Sequence, residues 1–200
     1  MEQISSAVSV IAFVVVIALW FLFGGVFLLR KKPEATTDGA KMPRSYVGLV
    51  LQGVGFVPVW FMRRQPVFSE YFAGQYVLNI VLQVLAVALA AFSVWFAMSA
   101  LRELGKQWSL EARLVEGHKL ITSGVYQTVR HPIYTAMLGM LIAIGIAYST
   151  WLPTLVGVIV FIIGTKIRTV FEERLLSDAF GSDFSEWKAK VPGLIPFVKI

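Results

Sequence analysis

Two polar segments of this 200-residue chain hold side chains that could do chemistry. The first reads Arg130-His131-Pro132-Ile133-Tyr134, and the second brings Arg168, Glu172 and Glu173 close together along the chain. Pro132 suits the first position of a helix, where its missing N–H costs nothing. The N–H groups of that helix start, with Arg130 and His131 beside them, would suit a carboxylate or a phosphate. The plainer reading of Arg130 and His131 is anchoring at a basic membrane boundary. Arg168 and Glu172, four residues apart, share a face of a helix, where they can pair with each other or jointly grip a ligand bearing both charges. Glu173 is turned by about 100° from Glu172 and need not share its role. His118, in Gly117-His118-Lys119-Leu120-Ile121, reads by itself either as a hydrogen-bonded loop residue or as a contact to a ligand.

Other chemistries have little to stand on. The chain has no cysteine, which excludes a thiolate metal site, a disulfide framework and a cysteine nucleophile. Two histidines 13 residues apart, with no H-x-x-x-H, argue against zinc, and no metal is expected. No G-x-S-x-G, Walker or G-x-G-x-x-G pattern occurs.

The elements that must position these residues are membrane helices. Hydrophobic residues make up 57% of the chain, charged residues 15%, and the mean hydropathy is +0.72. Soluble domains carry about a quarter charged residues, so lipid is the expected solvent. A helix rising about 1.5 Å per residue crosses the hydrocarbon core in about 20 residues. On that measure the uncharged runs predict spans at about 8–29, 46–62, 71–101, 132–148 and 152–171. The first is too long, and lacks the basic lead-in, for a signal peptide. The third is long enough to require tilt. Tyr148-Ser149-Thr150-Trp151-Leu152-Pro153 supplies a turn, so the last two spans form a hairpin. Gly53 and Gly55 read as close helix packing.

Sixteen of the 18 basic residues fall in the segments after the first and third spans and in the tail. This predicts an outside N-terminus and a cytoplasmic C-terminus, and makes the +6 charge a matter of topology and not of nucleic-acid binding. The expected fold is all-α: one polytopic domain over 1–200, with five transmembrane helices, a cytoplasmic loop and a C-terminal helix. Its polar material lies at 102–131 and 166–200, on one side. Lys31 to Pro43 reads as a linker. Leu176, Phe180, Phe184 and Trp187 form an amphipathic stripe suited to lying on headgroups or capping the bundle. Leu194 to Val198 could re-enter the interface.

Taken in order, Gly117-His118 through Tyr126, Arg130-His131-Pro132-Ile133-Tyr134, Arg168 with Glu172-Glu173, Phe180-Gly181 and Val191-Pro192-Gly193-Leu194-Ile195-Pro196-Phe197 resemble the isoprenylcysteine carboxyl methyltransferases and the wider group of membrane phospholipid methyltransferases. The resemblance covers roughly Gly105 to Phe197, and the five-helix count is similar to that of the short prokaryotic members. It implies methyl transfer from S-adenosylmethionine to a lipophilic acceptor at the membrane surface, foremost the carboxylate of a prenylcysteine-like substrate. It also implies cofactor contacts at His118, Lys119, Leu120, Ile121, Tyr126, His131, Pro132, Ile133, Tyr134 and Glu172, with Arg168 holding the acceptor. Arg168 and Glu172 are then the catalytic pair. Ala136 stands where a glycine often follows the R-H-P-x-Y segment, which would narrow the pocket. The alternatives are methylation of a phospholipid or other amphiphile, an NADPH-dependent enzyme resembling the sterol reductases, and a non-catalytic membrane scaffold or small transporter built around Gln52, Asn79 and Gln83.

Overall fold

The structure is a computed structural model and describes residues 1–29, 45–64, 71–110, 114, 117–196 and 198. The linker read at Lys31 to Pro43 lies outside the described residues. Among these residues regular structure is helical: α1 (Glu2–Leu28), α2 (Ser45–Val54), α3 (Val57–Phe61), α4 (Tyr76–Leu104), α5 (Pro132–Tyr148) and α6 (Trp151–Lys190). One isolated antiparallel bridge joins Arg63 to Ser149. Glu2–Leu28, Tyr76–Gln107 and Trp151–Lys190 are long and apolar enough to cross a membrane, and Ser45–Phe61 and Pro132–Tyr148 are shorter apolar helices.

The helices carry small and polar residues inward and large apolar ones outward, the reverse of a soluble bundle. On α1 the buried positions are Ser5, Ser9, Ala12, Val16 and Phe23, while Ile11, Val14, Phe21 and Leu22 are exposed. Apolar side chains gain nothing by leaving lipid for protein, so close backbone approach and hydrogen bonds must hold such helices together. Ala86, Ala90 and Ala97 of α4 accordingly meet Ala136, Met140, Ala143 and Ala147 of α5 in one core cluster. Ala136 therefore packs in that core and does not narrow the cavity described below. Asn79 donates to Ser5 Oγ at 3.0 Å and Ser9 Oγ at 2.9 Å, tying α4 to α1. Gln83 donates to the Ile146 carbonyl at 3.3 Å, and Gln52 to Thr165 Oγ1 at 2.9 Å. The three polar residues that could have lined a transport path thus bind helix to helix.

The second apolar segment is broken at Gly55 and Phe56, where α2 ends and α3 begins with Pro58 near its start. Its glycines let it lie against α6. A Cβ on Gly48 would stand 2.5 Å from the Gly164 carbonyl oxygen and 2.6 Å from Arg168 Cγ, and one on Gly55 would stand 2.8 Å from the Gly157 carbonyl oxygen. Gly53 has nothing within 4 Å of such an atom, so of the two glycines expected to serve packing only Gly55 does.

The α5–α6 turn falls at Ser149 and Thr150, as its residue types predict. It is fastened to the end of the second segment: Ser149 Oγ donates to the Met62 carbonyl at 2.7 Å and Arg64 Nη2 to the Ala147 carbonyl at 2.6 Å. Instead of ending near 171, α6 continues to Lys190, with one non-helical residue, Gly181, at φ 49° and ψ −115°. Such a backbone is open to glycine and closed to most other residues.

Candidate active site

The first polar segment folds as its residue types direct. Pro132 opens α5, with His131 as N-cap. The N–H groups of the cap region do not face outward, however. Arg130 N–H donates to the Pro192 carbonyl at 2.8 Å and His131 N–H to the Gly193 carbonyl at 3.0 Å. Thr135 Oγ1 also donates to the Leu194 carbonyl at 2.5 Å. The segment around Pro192 to Leu194 is therefore strapped onto the start of α5. Arg130 likewise points inward: Nε donates to Glu173 Oε1 at 2.9 Å and Nη1 to the carbonyls of Val191 and Lys188. The backbone N–H groups of Arg130 and His131, and much of the Arg130 guanidinium, are thus taken up by the protein's own oxygens.

The second segment lies opposite. Arg168 is 4% exposed although it sits within an apolar helix, and every bond it makes is at short range. Nε donates to the Tyr134 hydroxyl oxygen at 2.8 Å; Nη2 donates to the Leu110 carbonyl at 2.8 Å and to Glu172 Oε1 at 3.1 Å. The Tyr134 hydroxyl donates in turn to Glu172 Oε1. The i,i+4 pair anticipated on one helix face is present, with a tyrosine from α5 bridging it. Glu173, one residue on, serves a different group: it faces Arg130, His131 Nε2 at 3.1 Å and Lys188 Nζ at 2.7 Å.

His131 lies between the two carboxylates, with Nδ1 3.6 Å from Glu172 Oε2 and Nε2 3.1 Å from Glu173 Oε1. Burial opposes its charged form, but hydrogen bonds and charge from Glu172 and Glu173 outweigh burial and raise its pKa above the ordinary 6.5. His118, which is buried without such partners, is pushed below that value. Burial, with the charges of Glu172 and Glu103 adding to it, drives the Tyr126 hydroxyl far above the usual phenol range. The surroundings of Tyr126 and His118 thus favour their neutral forms, whereas the two glutamates favour the charged form of His131.

A roof closes over these groups because α6 turns back at Gly181. Glu173 and Lys188 are 15 residues apart, about 22 Å along a straight helix, yet their side chains meet at 2.7 Å. The amphipathic stripe covers the loop from both sides of the reversal: before it the rings of Phe180 and His118 lie 6.2 Å apart, and after it Phe184 is buried. Of the two roles open to that stripe, capping is the one observed. The loop is held by Ser123 Oγ donating to Glu103 Oε2 at 2.7 Å and by Lys119 N–H donating to Gln107 Oε1 at 2.5 Å.

Beneath the roof is a cavity of about 580 Å³. His118, Lys119, Leu120, Ile121, Tyr126, His131, Pro132, Ile133, Tyr134, Arg168 and Glu172 all line it, so the structure brings together the residues that the resemblance assigned to cofactor and acceptor, while Glu173 stays outside. Residues that sequence reasoning missed line it too. Trp20, Phe23 and Phe27 of α1 and Leu49 of α2 form its apolar end, and Trp187 stands in the wall with His118. The stripe pattern singled out Trp187 as apolar packing, but nothing in α1 distinguishes a cavity-facing Phe from a lipid-facing one. Three buried polar atoms of the wall have no partner: His118 Nδ1, Trp187 Nε1 and Gln52 Oε1. Among the described residues no group of three or more His, Asp or Glu side chains could hold a metal ion.

The cavity thus has two ends. At one, the Glu172 carboxylate stands with Arg168, Arg130 and His131; at the other, aromatic and aliphatic side chains dominate. Such a site suits a charged, polar molecule beside a hydrocarbon one.

A family model described as phospholipid methyltransferase matches residues 81–183. The chain is 32% identical over 89 residues to the Arabidopsis thaliana protein-S-isoprenylcysteine O-methyltransferase B, covering 44% of this chain and 45% of that protein. It is 33% identical over 82 residues to a probable protein-S-isoprenylcysteine O-methyltransferase of Oryza sativa subsp. indica, covering 41% and 43%. To the Schizosaccharomyces pombe protein-S-isoprenylcysteine O-methyltransferase it is 26% identical over 120 residues, covering 59% and 51%. The chain spans about half the length of the curated relatives it matches.

Proposed function

Since this chain belongs to the phospholipid methyltransferase family, we propose that it transfers a methyl group from S-adenosylmethionine to a lipophilic acceptor, foremost the carboxylate of a prenylcysteine-like substrate. The observation that carries this reading is the two-ended cavity, in which Arg168, Glu172, Tyr134 and His131 meet at the head of an apolar chamber.

The residues present fit the cofactor. His118 Nδ1 and the Trp187 indole N–H are buried without partners beside the cavity, and leaving such groups unpaired costs about 1–3 kcal/mol each. A polar nucleoside bound under the roof would supply partners. Glu172 faces the cavity with a carboxylate suited to an ammonium or sulfonium. When bound, the cofactor supplies an electrophilic methyl carried on a positively charged sulfur.

For the acceptor, the charge of the site decides between chemistries. An amine or hydroxyl would need a base, and both glutamates are engaged by cations: Glu172 by Arg168 and His131, Glu173 by Arg130, His131 and Lys188. Carboxylates so paired are poor bases. An acceptor carboxylate is already ionised near neutral pH; its oxygen forms the new bond to the methyl carbon as the bond from sulfur breaks, and no proton moves. Arg168 uses Nε and Nη2 for its protein partners, and Nη1 is the donor that would orient the acceptor. The chain's contribution is alignment and exclusion of water.

The cavity mouth and the roof belong on the cytoplasmic face, with α1, the broken α2–α3 segment, α4, α5 and the first part of α6 as five spans and the N-terminus outside. The basic residues gathered at one end support that orientation.

Calorimetry on the protein in detergent tests the reading. S-Adenosylmethionine and its demethylated product should both bind the wild type, and binding of NADPH without either would replace this reading with a reductase. If neither is bound, methyl transfer is refuted.

A further inference from the structure

The apolar space does not end with the active-site cavity. A second hollow of about 570 Å³, a groove open on the outer surface where Phe21 and Phe61 are exposed, runs between α1 and the broken α2–α3 segment, with Phe13, Ile17, Phe56 and Phe61 in its walls. Trp20 forms part of the wall of both hollows. Its indole stands edge-on to Trp60 at 5.2 Å, so the partition between the two hollows includes this pair of side chains. The walls of the second hollow carry Phe, Trp, Val, Ile and Gly residues only. Water there would find no partners, and hydrocarbon is the filling such a space admits.

The length of the combined space decides which hydrocarbon. The two hollows follow α1 from Leu28 to Phe13, 15 residues or about 22 Å. That exceeds half of a hydrocarbon core about 30 Å thick. A chain held at the Arg168 end and following both therefore reaches past the middle of the bilayer.

We propose that Trp20 is a chain-length gate for the acceptor. Short hydrocarbon chains end in the apolar part of the first cavity, and longer ones pass Trp20 into the hollow between α1 and α2–α3. This rests on reading the cavity as a methyl-transfer site for a lipophilic acceptor. Gly53 gives access to the far chamber without touching the reaction centre. It lines that hollow, and a Cβ added there meets nothing within 4 Å, so a side chain can be grown into the space without moving backbone.

The test uses the full chain in detergent and N-acetylcysteine carrying a geranyl, farnesyl or geranylgeranyl thioether, with kcat and KM measured for each. Gly53→Leu should raise KM for the geranylgeranyl acceptor by about tenfold, the equivalent of roughly two methylenes kept out of apolar contact, and leave the geranyl acceptor unchanged. Gly53→Ala should give a smaller shift in the same direction. Trp20→Ala should narrow the difference in KM between the longest and shortest acceptors. Calorimetric binding of the demethylated cofactor should be the same in both Gly53 variants, which separates a blocked chamber from a damaged fold. Equal changes for all three chain lengths in Gly53→Leu, or none, would overturn the gate and assign the hollow to bulk lipid. If the wild type binds the demethylated cofactor but methylates none of the three acceptors, the acceptor reading falls and the gate with it.

Discussion

At the scale of single residues, Glu172 and Glu173 are adjacent in sequence and divided in duty. Glu172 faces the cavity through Arg168 and Tyr134, whereas Glu173 locks Arg130 and Lys188 behind it. Glu172→Ala removes a charged partner from the cofactor side and should weaken binding of the demethylated cofactor by about ten- to a hundredfold, the value of one charge-assisted hydrogen bond. Calorimetry reads this directly, and an unchanged affinity would remove Glu172 from the cofactor site. Arg168→Lys keeps the charge but loses the planar fork that serves Tyr134, Glu172 and Leu110 together. It should lower kcat/KM for the acceptor by about a hundredfold or more, and it should leave cofactor binding within a few-fold.

His131 gives a prediction in pH. Its folded pKa is raised above the unfolded value of 6.5 by the two glutamates. The stability it contributes is therefore complete below that value and is lost as pH rises through the raised folded pKa. Thermal unfolding of wild type and His131→Gln in detergent should differ most in mildly acidic buffer and converge as the pH becomes alkaline. A difference that grows with pH would contradict the placement of the imidazole between two carboxylates.

Elements explain why these residues meet at all. The tail stripe reads in sequence as a separate amphipathic helix. The structure bears out that second helix and joins it to the first without a loop: two helical stretches meet at Gly181, whose φ 49° and ψ −115° turn the chain back. Gly181→Ala should cost about 1–3 kcal/mol at that backbone and should weaken cofactor binding, because Trp187 and Lys188 leave the roof. No neighbour lies within 4 Å of a Cβ there, so the cost is conformational and not steric. Near-wild-type affinity in this variant would show that the roof does not depend on the reversal. The start of α5 was legible from Pro132 and the α5–α6 turn from Ser149, Thr150 and Pro153, since those residues act on their own backbone. The strap from Pro192 to Leu194 was not, because its bonds to Arg130 and His131 join residues some 60 positions apart.

For the whole molecule, the charge count and the cavity point the same way. The site-bearing loop, the roof and the basic residues of α6 share an end, and the proposed orientation sets that end in the cytoplasm. A reporter fused after Ile200 that is active only in the cytoplasm should be active, and one fused at the N-terminus should not. The opposite pattern would invert the topology. The apolar outer faces of α1, α4 and α6 remain facing lipid in either case.

The sequence by itself determined the solvent, the helices and the chemistry on offer. Runs of uncharged residues are long enough to need lipid, Pro132 starts a helix wherever it falls, and Arg168 and Glu172 share a face by the pitch of the helix alone. These are local consequences of composition and of 3.6 residues per turn. Only the tertiary structure decided that Arg130 is spent on Glu173 and carbonyl oxygens, that Trp187 and His118 wall the same cavity, and that α1 supplies part of its apolar lining. Each depends on how closely distant backbones approach. That distance is set by Gly48 against Gly164, by Gly55 against Gly157 and by the turn at Gly181, where the missing side chain tells how near a neighbour can come but not which neighbour it is.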